Sequence, residues 1–432
     1  MSEAVKRPGW YRLTPFLGKP PELTPRQWRV LGLVAVVSLF EQYDLYLFSL
    51  SLKQIQADLA IGEADLGMLG SVVRVGAVLA LPIALAADRM GRRKILLLTV
   101  IGYTLLTGAT AFAPNAETFV ALQFLARAFA VAETLIAVVV IAEEFAPEHR
   151  GWGIGALGAI QACGAGLASI AFGFVDVLPF GWRALYLFGL VPLTLVAYWR
   201  RTLPETDRFQ ALQREREALP RATPALDPIR RLFREHRRLF VALALACFAF
   251  GVAVGPAGFF APKFLQDAHG WSPAAVASLS FFGGAFAIVG NPLSGWLSDR
   301  YGRRPMASIF GLAFAAVTIA FYTAAGIFAP ALWILLIFSM MGTEVTLAAF
   351  GAELFPTSQR STASGVRMVV LAMGTVIGLA LVSLLFGWLG SNWTAVALLG
   401  GASLLVPVLI WTLLPETARR TLEDISKAPE AL

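Results

Sequence analysis

Apolar runs of roughly 20 residues follow one another along almost the whole chain, near 30–52, 66–86, 95–113, 118–142, 153–175, 183–199, 239–262, 273–297, 306–328, 331–351, 364–388 and 393–413. A hydrocarbon layer about 30 Å thick demands that length of an α-helix, which rises only about 1.5 Å per residue. A closed β-barrel would instead alternate apolar and polar residues in segments of about ten, and no such segments are present. With 57% hydrophobic and 15% charged residues, the chain has too much apolar surface to be a set of soluble domains. The expected fold class is therefore an all-α membrane protein with twelve transmembrane helices.

A net charge of +7 suggests nucleic acid until its distribution is followed. With the N-terminus in the cytoplasm, Lys53, Arg183 and Lys263 lie outside and Arg74, Arg127 and Arg367 fall within spans. The other 29 of the 35 Lys and Arg (35 − 6) are then cytoplasmic. Basic residues favour the cytoplasmic face, so both termini are expected there, in a cell inner membrane, and no nucleic-acid partner is expected. The first 29 residues hold six basic residues and several prolines but no short apolar core with a cleavage site, so the first span is expected to act as the insertion signal. Cys163 and Cys247 are isolated in apolar runs and there are three His, which argues against disulfides, zinc sites and haem attachment. No metal and no cofactor is expected. The longest loop, 200–238, carries eleven Arg among prolines and acids and reads as a linker.

That linker joins two copies of one unit. Asp88-Arg89-Met90-Gly91-Arg92-Arg93 returns as Asp299-Arg300-Tyr301-Gly302-Arg303-Arg304, 211 residues later (299 − 88). Leu203-Pro204-Glu205-Thr206 and Leu414-Pro415-Glu416-Thr417 keep the same spacing, as do Trp182 and Trp393. Glu144-Phe145-Ala146-Pro147 with Arg150 returns as Glu353-Leu354-Phe355-Pro356 with Arg360, at offsets of 209 to 210 (353 − 144, 360 − 150). One spacing held by four landmarks marks a tandem of two pseudo-symmetric six-helix bundles, 30–199 and 239–413, flanked by cytoplasmic segments 1–29 and 414–432. Parallel repeats of this kind place a solute site at mid-membrane and work by alternating access.

The second copy of the loop, Gly295-x-Leu297-x-Asp299-Arg300-x-Gly302-Arg303-Arg304, resembles the signature of the major facilitator superfamily; the first copy departs from it at Ala84 and Ala86. Tyr43-Asp44 in the first span, the Glu-x-x-Pro…Arg stretches and the two Pro-Glu-Thr ends are similar to the sugar porter and metabolite:proton symporter branch. Span 7 lacks the paired Gln and the Asn of sugar porters, and residues 339–352 lack their Trp. A sugar needs many side-chain hydrogen-bond partners, so sugar/proton symport becomes the second alternative. Span 5 holds Gly158, Gly164 and Gly166 but no Pro, and so lacks the Gly-Pro of drug/proton antiporters. Proton-coupled efflux of drugs or amphipathic compounds is accordingly the first alternative.

Charges at membrane depth are costly unless paired or hydrated, and they mark candidate sites. Asp44 lies roughly 21 Å along span 1, and Arg74 and Arg127 lie roughly 12 and 14 Å below the outer starts of spans 2 and 4. Glu41 shares the face of Asp44 at i−3. The resemblance implies proton coupling through the span-1 Asp and the span-4 Arg, here Asp44 and Arg127, although Arg127 stands 17 residues from Glu144 where the family has about 20 (144 − 127). Asp44, Glu41 and Glu133 are the proton-coupling candidates, and Arg74, Arg127, Gln161 and Glu344 the substrate-binding ones. A desolvated guanidinium suits a carboxylate or phosphate. Arg367 starts its span and is expected to snorkel to the cytoplasm. Asp88, Arg92, Arg93, Glu144, Arg150, Asp299, Arg303, Arg304, Glu353 and Arg360 form a candidate cytoplasmic gate, in which the arginines reach Glu144, Glu353 or helix ends.

Nothing in the chain resembles a nucleophile with a His base, a metal cluster or a nucleotide loop, so an enzyme is not expected. The short C-terminal tail argues against a receptor. The expected function is proton-coupled uptake of a small, anionic organic metabolite by a monomer in a lipid bilayer, with a small-molecule substrate and protons as partners.

Overall fold

The computed structural model describes residues 8–146, 148–200, 227–323 and 326–418. It is nearly all helical: α1 (Pro25–Leu50), α2 (Leu52–Asp58), α3 (Leu66–Val75), α4 (Ala80–Met90), α5 (Arg92–Thr110), α6 (Ala116–Glu144), α7 (Arg150–Phe172), α8 (Trp182–Arg200), α9 (Asp227–Glu235), α10 (Arg237–Ala268), α11 (Pro273–Tyr301), α12 (Arg303–Thr323), α13 (Ala329–Glu353), α14 (Thr357–Leu389), α15 (Asn392–Gly400) and α16 (Leu405–Leu413). No strand occurs among the described residues. Short 3₁₀ turns link α3 to α4 and α15 to α16, so each of these pairs forms one span.

Eleven helical segments among the described residues are long and apolar enough to cross a membrane. The twelfth of the expected series is α5, a 19-residue helix that opens on Arg92-Arg93-Lys94. Three cations in its first turn lower its apolarity, and the 16 residues that follow (19 − 3) are mostly apolar.

The helix ends follow from local chemistry. Thr24 and Gln27 form a capping box with Pro25 in the first turn of α1. Asn115, Ser272 and Ser391 accept backbone N–H groups at the starts of α6, α11 and α15. The two motif glycines, Gly91 at φ 101° and Gly302 at φ 106°, separate α4 from α5 and α11 from α12 with backbone that side chains rarely adopt.

The described chain forms two compact units, one from Met1–Ala60 and Val72–Arg221, the other from Ile61–Ser71 and Ala222–Leu432. The tandem repeat is visible in their packing. In the first unit α1 packs on α7, where a Cβ on Gly164 would lie 2.0 Å from the Leu39 carbonyl. In the second α10 packs on α14, where a Cβ on Gly374 would lie 2.4 Å from the Phe248 carbonyl. Only glycine allows either backbone contact. The segment Ile61–Ser71, expected in the N-terminal bundle, clusters instead with the second unit. Most of the expected linker, and the tail beyond 418, lie outside the described residues; the last part of the linker is the helix α9.

Two expectations about charged residues are corrected. α10 runs six residues past the expected end at 262, through Pro256 and Pro262, so Lys263 is helical and buried rather than in an outer loop. α14 begins at Thr357, seven residues before the expected start, which puts Arg367 ten residues into it (367 − 357), roughly 15 Å along the axis. Arg367 is buried against Gly351 and the Cys247 sulfur, so its side chain packs within the second unit instead of reaching outward.

Candidate functional site

Within the first unit, α1, α3, α5 and α6 line a small cavity that is open at its mouth. Glu41, Asp44, Tyr103, Gln123 and Arg127 line it together with apolar residues. Glu41 and Asp44 face it because three residues separate them on α1, nearly one helical turn. Both are buried, each 6% exposed.

Arg127 Nη1 lies 3.2 Å from Glu41 Oε1. Glu41 Oε2 accepts hydrogen bonds from the Thr134 hydroxyl and, at 3.5 Å, from Gln161 Nε2. The carboxylate on Arg127 is thus Glu41, where the resemblance suggested Asp44. The reason lies in α6: Arg127 and Thr134 are seven residues apart, two turns on one face, and both reach Glu41.

Asp44 is held by hydroxyls. Its Oδ2 accepts from Thr107 Oγ1 at 3.0 Å and from the Tyr103 hydroxyl. Tyr103 also points its hydroxyl at the Phe40 carbonyl, 2.8 Å away. Asp44 Oδ1 is buried and has no hydrogen-bond partner among the described residues.

Arg74 on α3 is partly buried and within electrostatic range of Arg127. Glu133 is fully buried, accepts a 2.6 Å hydrogen bond from Thr99 Oγ1 and lies within electrostatic range of Glu41, but does not line the cavity. Glu344 belongs to the second unit, where Arg367 is its electrostatic neighbour. Glu41, Asp44, Arg127 and Gln161 therefore share one site, with Arg74 close by, and Glu344 is in a separate cluster.

Tyr103, Thr107, Gln123 and Thr134 were not foreseen as site residues. A signal existed: Tyr103, Thr107 and Thr110 recur at helical spacing along an otherwise apolar span, and Gln123 donates to Thr110 Oγ1 at 3.1 Å.

The candidate gate residues form two comparable ion pairs. In the first unit Arg92 Nη2 meets Glu143 Oε1 at 3.2 Å, while Glu144 pairs with Arg26 at 2.7 Å. In the second, Arg303 meets Glu353 at 2.8 Å and Asp299 at 2.5 Å. Arg92 and Arg303 are 211 apart (303 − 92), and their partners Glu143 and Glu353 are 210 apart (353 − 143). The repeat mate of Glu353 is thus Glu143; the expected contact of the motif arginines with Glu144 is replaced by one to its neighbour, because the next acid turns to Arg26. Glu416 extends the second copy by accepting from the backbone N–H of Arg303 and Arg304 at 2.8 and 3.0 Å, and Thr417 donates to Glu353 at 2.6 Å. Arg304 stacks over Trp411, 4.7 Å from the ring centre. Arg150 Nε donates to the Phe145 carbonyl at 3.2 Å. Arg93 lies in the first turn of α5 and Arg360 in that of α14. The Asp88 side chain lies outside the described residues.

Known proteins agree with this architecture. A gallate transporter of Pseudomonas putida is 28% identical, over 84% of this chain and 87% of its own length. The 4-hydroxybenzoate transporter PcaK of Pseudomonas aeruginosa is 26% identical, over 88% and 90%. Among solved structures, the inward-open xylose transporter XylE from E. coli is similar with a TM-score of 0.71 at 18% identity, covering 92% of this chain and 99% of that one. The model of the Major Facilitator Superfamily matches residues 34–351, about three-quarters of the chain, and with the duplicated loop motif and the twelve-helix series this places the protein in the major facilitator superfamily as a multi-pass membrane transporter.

Proposed function

We propose that the protein carries a small organic acid, an aromatic or ring-derived carboxylate, into the cell together with protons, by alternating access in the inner membrane with both termini cytoplasmic. The observation that carries this reading is the cavity in the first unit that a guanidinium and two carboxylates line, one of the carboxylates paired with the guanidinium. An anion entering such a site needs a cation, and Arg127 offers a planar fork that matches a carboxylate. The gallate and 4-hydroxybenzoate specificities of two relatives support the acid class.

In this mechanism the substrate carboxylate replaces Glu41 on Arg127. A displaced carboxylate is stable in a water-poor site only with a proton or another cation. Asp44, held at one oxygen by Tyr103 and Thr107, exchanges the coupling proton at the other, Oδ1. Proton and anion then cross together because the fully charged, unpaired site is disfavoured during closure. One chain suffices for these steps, so the working form is a monomer.

Uptake of labelled benzoate-type acids, muconate-type acids, hexoses and cationic drugs into proteoliposomes, with and without a pH gradient acid outside, tests the proposal. Accumulation of the acids that requires the gradient is expected. Accumulation confined to hexoses, or gradient-driven expulsion of drugs, would overturn it.

A further inference from the structure

Gln123 lines the cavity, is 6% exposed and has no part in the exchange of proton and anion. Arg127 of the same lining is committed to Glu41, and Tyr103 to Asp44 and the Phe40 carbonyl. A buried amide is costly unless its polar atoms find partners, so the partners of Gln123 carry information. Its Nε2 donates to Thr110 Oγ1 at 3.1 Å. Thr110 Oγ1 lies 2.9 Å from the Leu106 carbonyl, which can only accept, so the hydroxyl commits its one proton there. Toward Gln123 the threonine oxygen can therefore only accept, and the amide has to present its nitrogen. That fixes which way the amide faces and turns Oε1 away from Thr110. Among the described residues Oε1 accepts no hydrogen bond.

What this oxygen can take depends on its place relative to Arg127. Gln123, Ala126, Arg127 and Ala130 follow the spacing i, i+3, i+4 and i+7, and so share one face of α6. Gln123 stands one turn from Arg127, about 6 Å along the axis, which is close to the separation of two substituents on opposite carbons of a six-membered ring. The alanines keep that face of α6 low. Opposite it, Leu45 and Phe48 of α1 and Val73 of α3 complete an apolar lining. Phe48 is held against Phe119, ring centres 5.5 Å apart, and offers a flat solute an aromatic wall. The guanidinium suits a carboxylate at one end of such a solute, and the lone acceptor suits a hydroxyl at the other.

We propose that Gln123 determines specificity at this site: it selects ring acids with a hydroxyl opposite the carboxylate, the hydroxyl donating to Oε1 while the carboxylate pairs with Arg127. Thr110 is a positioning residue that acts through Gln123. The inference rests on the organic-acid reading and narrows it to one pattern of substitution. A ring acid without that hydroxyl leaves Oε1 buried and unpaired, and this loss is what discriminates against it.

The test uses three benzoic acids that differ only in the group opposite the carboxylate: hydrogen, hydroxyl or methoxy. Calorimetry on the purified full chain gives binding, and labelled compounds give initial uptake into proteoliposomes with a pH gradient, acid outside. The wild type is expected to bind the hydroxy compound at least about tenfold tighter than the other two, and to take it up in the same order. Gln123→Leu, apolar and of similar size, should bring the ratio of hydroxy to unsubstituted compound to about one or below, because the hydroxyl then has no acceptor. Thr110→Val keeps the shape and frees the amide to turn. It should lower the same ratio by a smaller factor and improve the methoxy compound relative to the unsubstituted one, since an amide N–H can then face the ether oxygen. Failure of all three compounds to bind the wild type would overturn the acid reading and this inference together. Equal binding of the three by the wild type, or a hydroxyl preference that survives Gln123→Leu, would overturn the inference alone and leave the acid reading standing. Should Gln123→Leu fail to fold, Thr110→Val decides, because a merely structural threonine would shift all three affinities together.

Discussion

The two units share a frame and differ in what they put inside it. Both hold a glycine against a helix backbone, Gly164 on Leu39 and Gly374 on Phe248, and both pair an arginine at a helix start with an acid at the end of a long helix, Arg92 with Glu143 and Arg303 with Glu353. At the 211-residue spacing, however, Glu41, Asp44, Arg74 and Arg127 of the first unit correspond to Val252, Gly255, Ala285 and Phe338 of the second, and Tyr103 to Phe314. Glu133 keeps its counterpart as Glu344. The duplicated parts are those that packing and the loop turns demand. The Arg127–Glu41 pair with Asp44 has no counterpart at that spacing, and the second unit has a different buried neighbourhood, Arg367 beside Glu344.

The strongest test of this division is Arg127→Gln. It removes the guanidinium that the proposed substrate carboxylate pairs with, a change that costs roughly 2–5 kcal/mol of binding at buried charge pairs, so binding of an acid should fall by about thirtyfold or more. Binding of the corresponding amide should change much less, and competition assays on purified protein would measure both. Equal losses would make the arginine structural. Next in size, Asp44→Asn should abolish accumulation driven by a pH gradient while leaving exchange of labelled for unlabelled solute; concentrative uptake at the wild-type level would remove Asp44 from the coupling step.

Smaller effects are expected where the copies agree. Gly164→Ala and Gly374→Ala each force a methyl group onto a carbonyl and should cost about 1–3 kcal/mol apiece, seen as similar drops in Tm. A large asymmetry would mean that the packing is not duplicated in energy as it is in geometry. The least effect is expected from the loop pairs: Glu353→Gln should slow transport more than Glu143→Gln, by a few-fold, because Glu353 also holds Thr417 and lies in the Glu416 network. Initial uptake rates of the two variants decide it, and the reverse order would assign the main control to the first unit.

Much of this was legible in the chain. Span length is set by bilayer thickness, and a lipid-facing helix must be apolar whatever it packs against, so local composition suffices to count spans. The repeat is a pattern in one dimension and needs no coordinates. The candidate residues Glu41, Asp44 and Arg127 stood out because charge in an apolar run is conspicuous. The pairing among them was not legible. Whether Arg127 meets Glu41 or Asp44 depends on the rotation of α6 against α1 by a fraction of a turn, and packing of side chains such as Thr134 decides that rotation. Tyr103 and Thr107 escaped notice because hydroxyls are common in spans and gain meaning only when a carboxylate on another helix faces them. Lys263 was read as lying past the end of its span because a proline beside a cation reads locally as a helix end; its partners Glu63 and Asp267 stand 200 and 4 residues away in sequence, and their contact with it is made only by the fold. Sequence alone determined which segments cross the membrane and where charge is concentrated, since both are properties of a residue and its near neighbours. Tertiary structure alone decided which charges meet, because a contact between helices is set by angles and depths that no single helix contains.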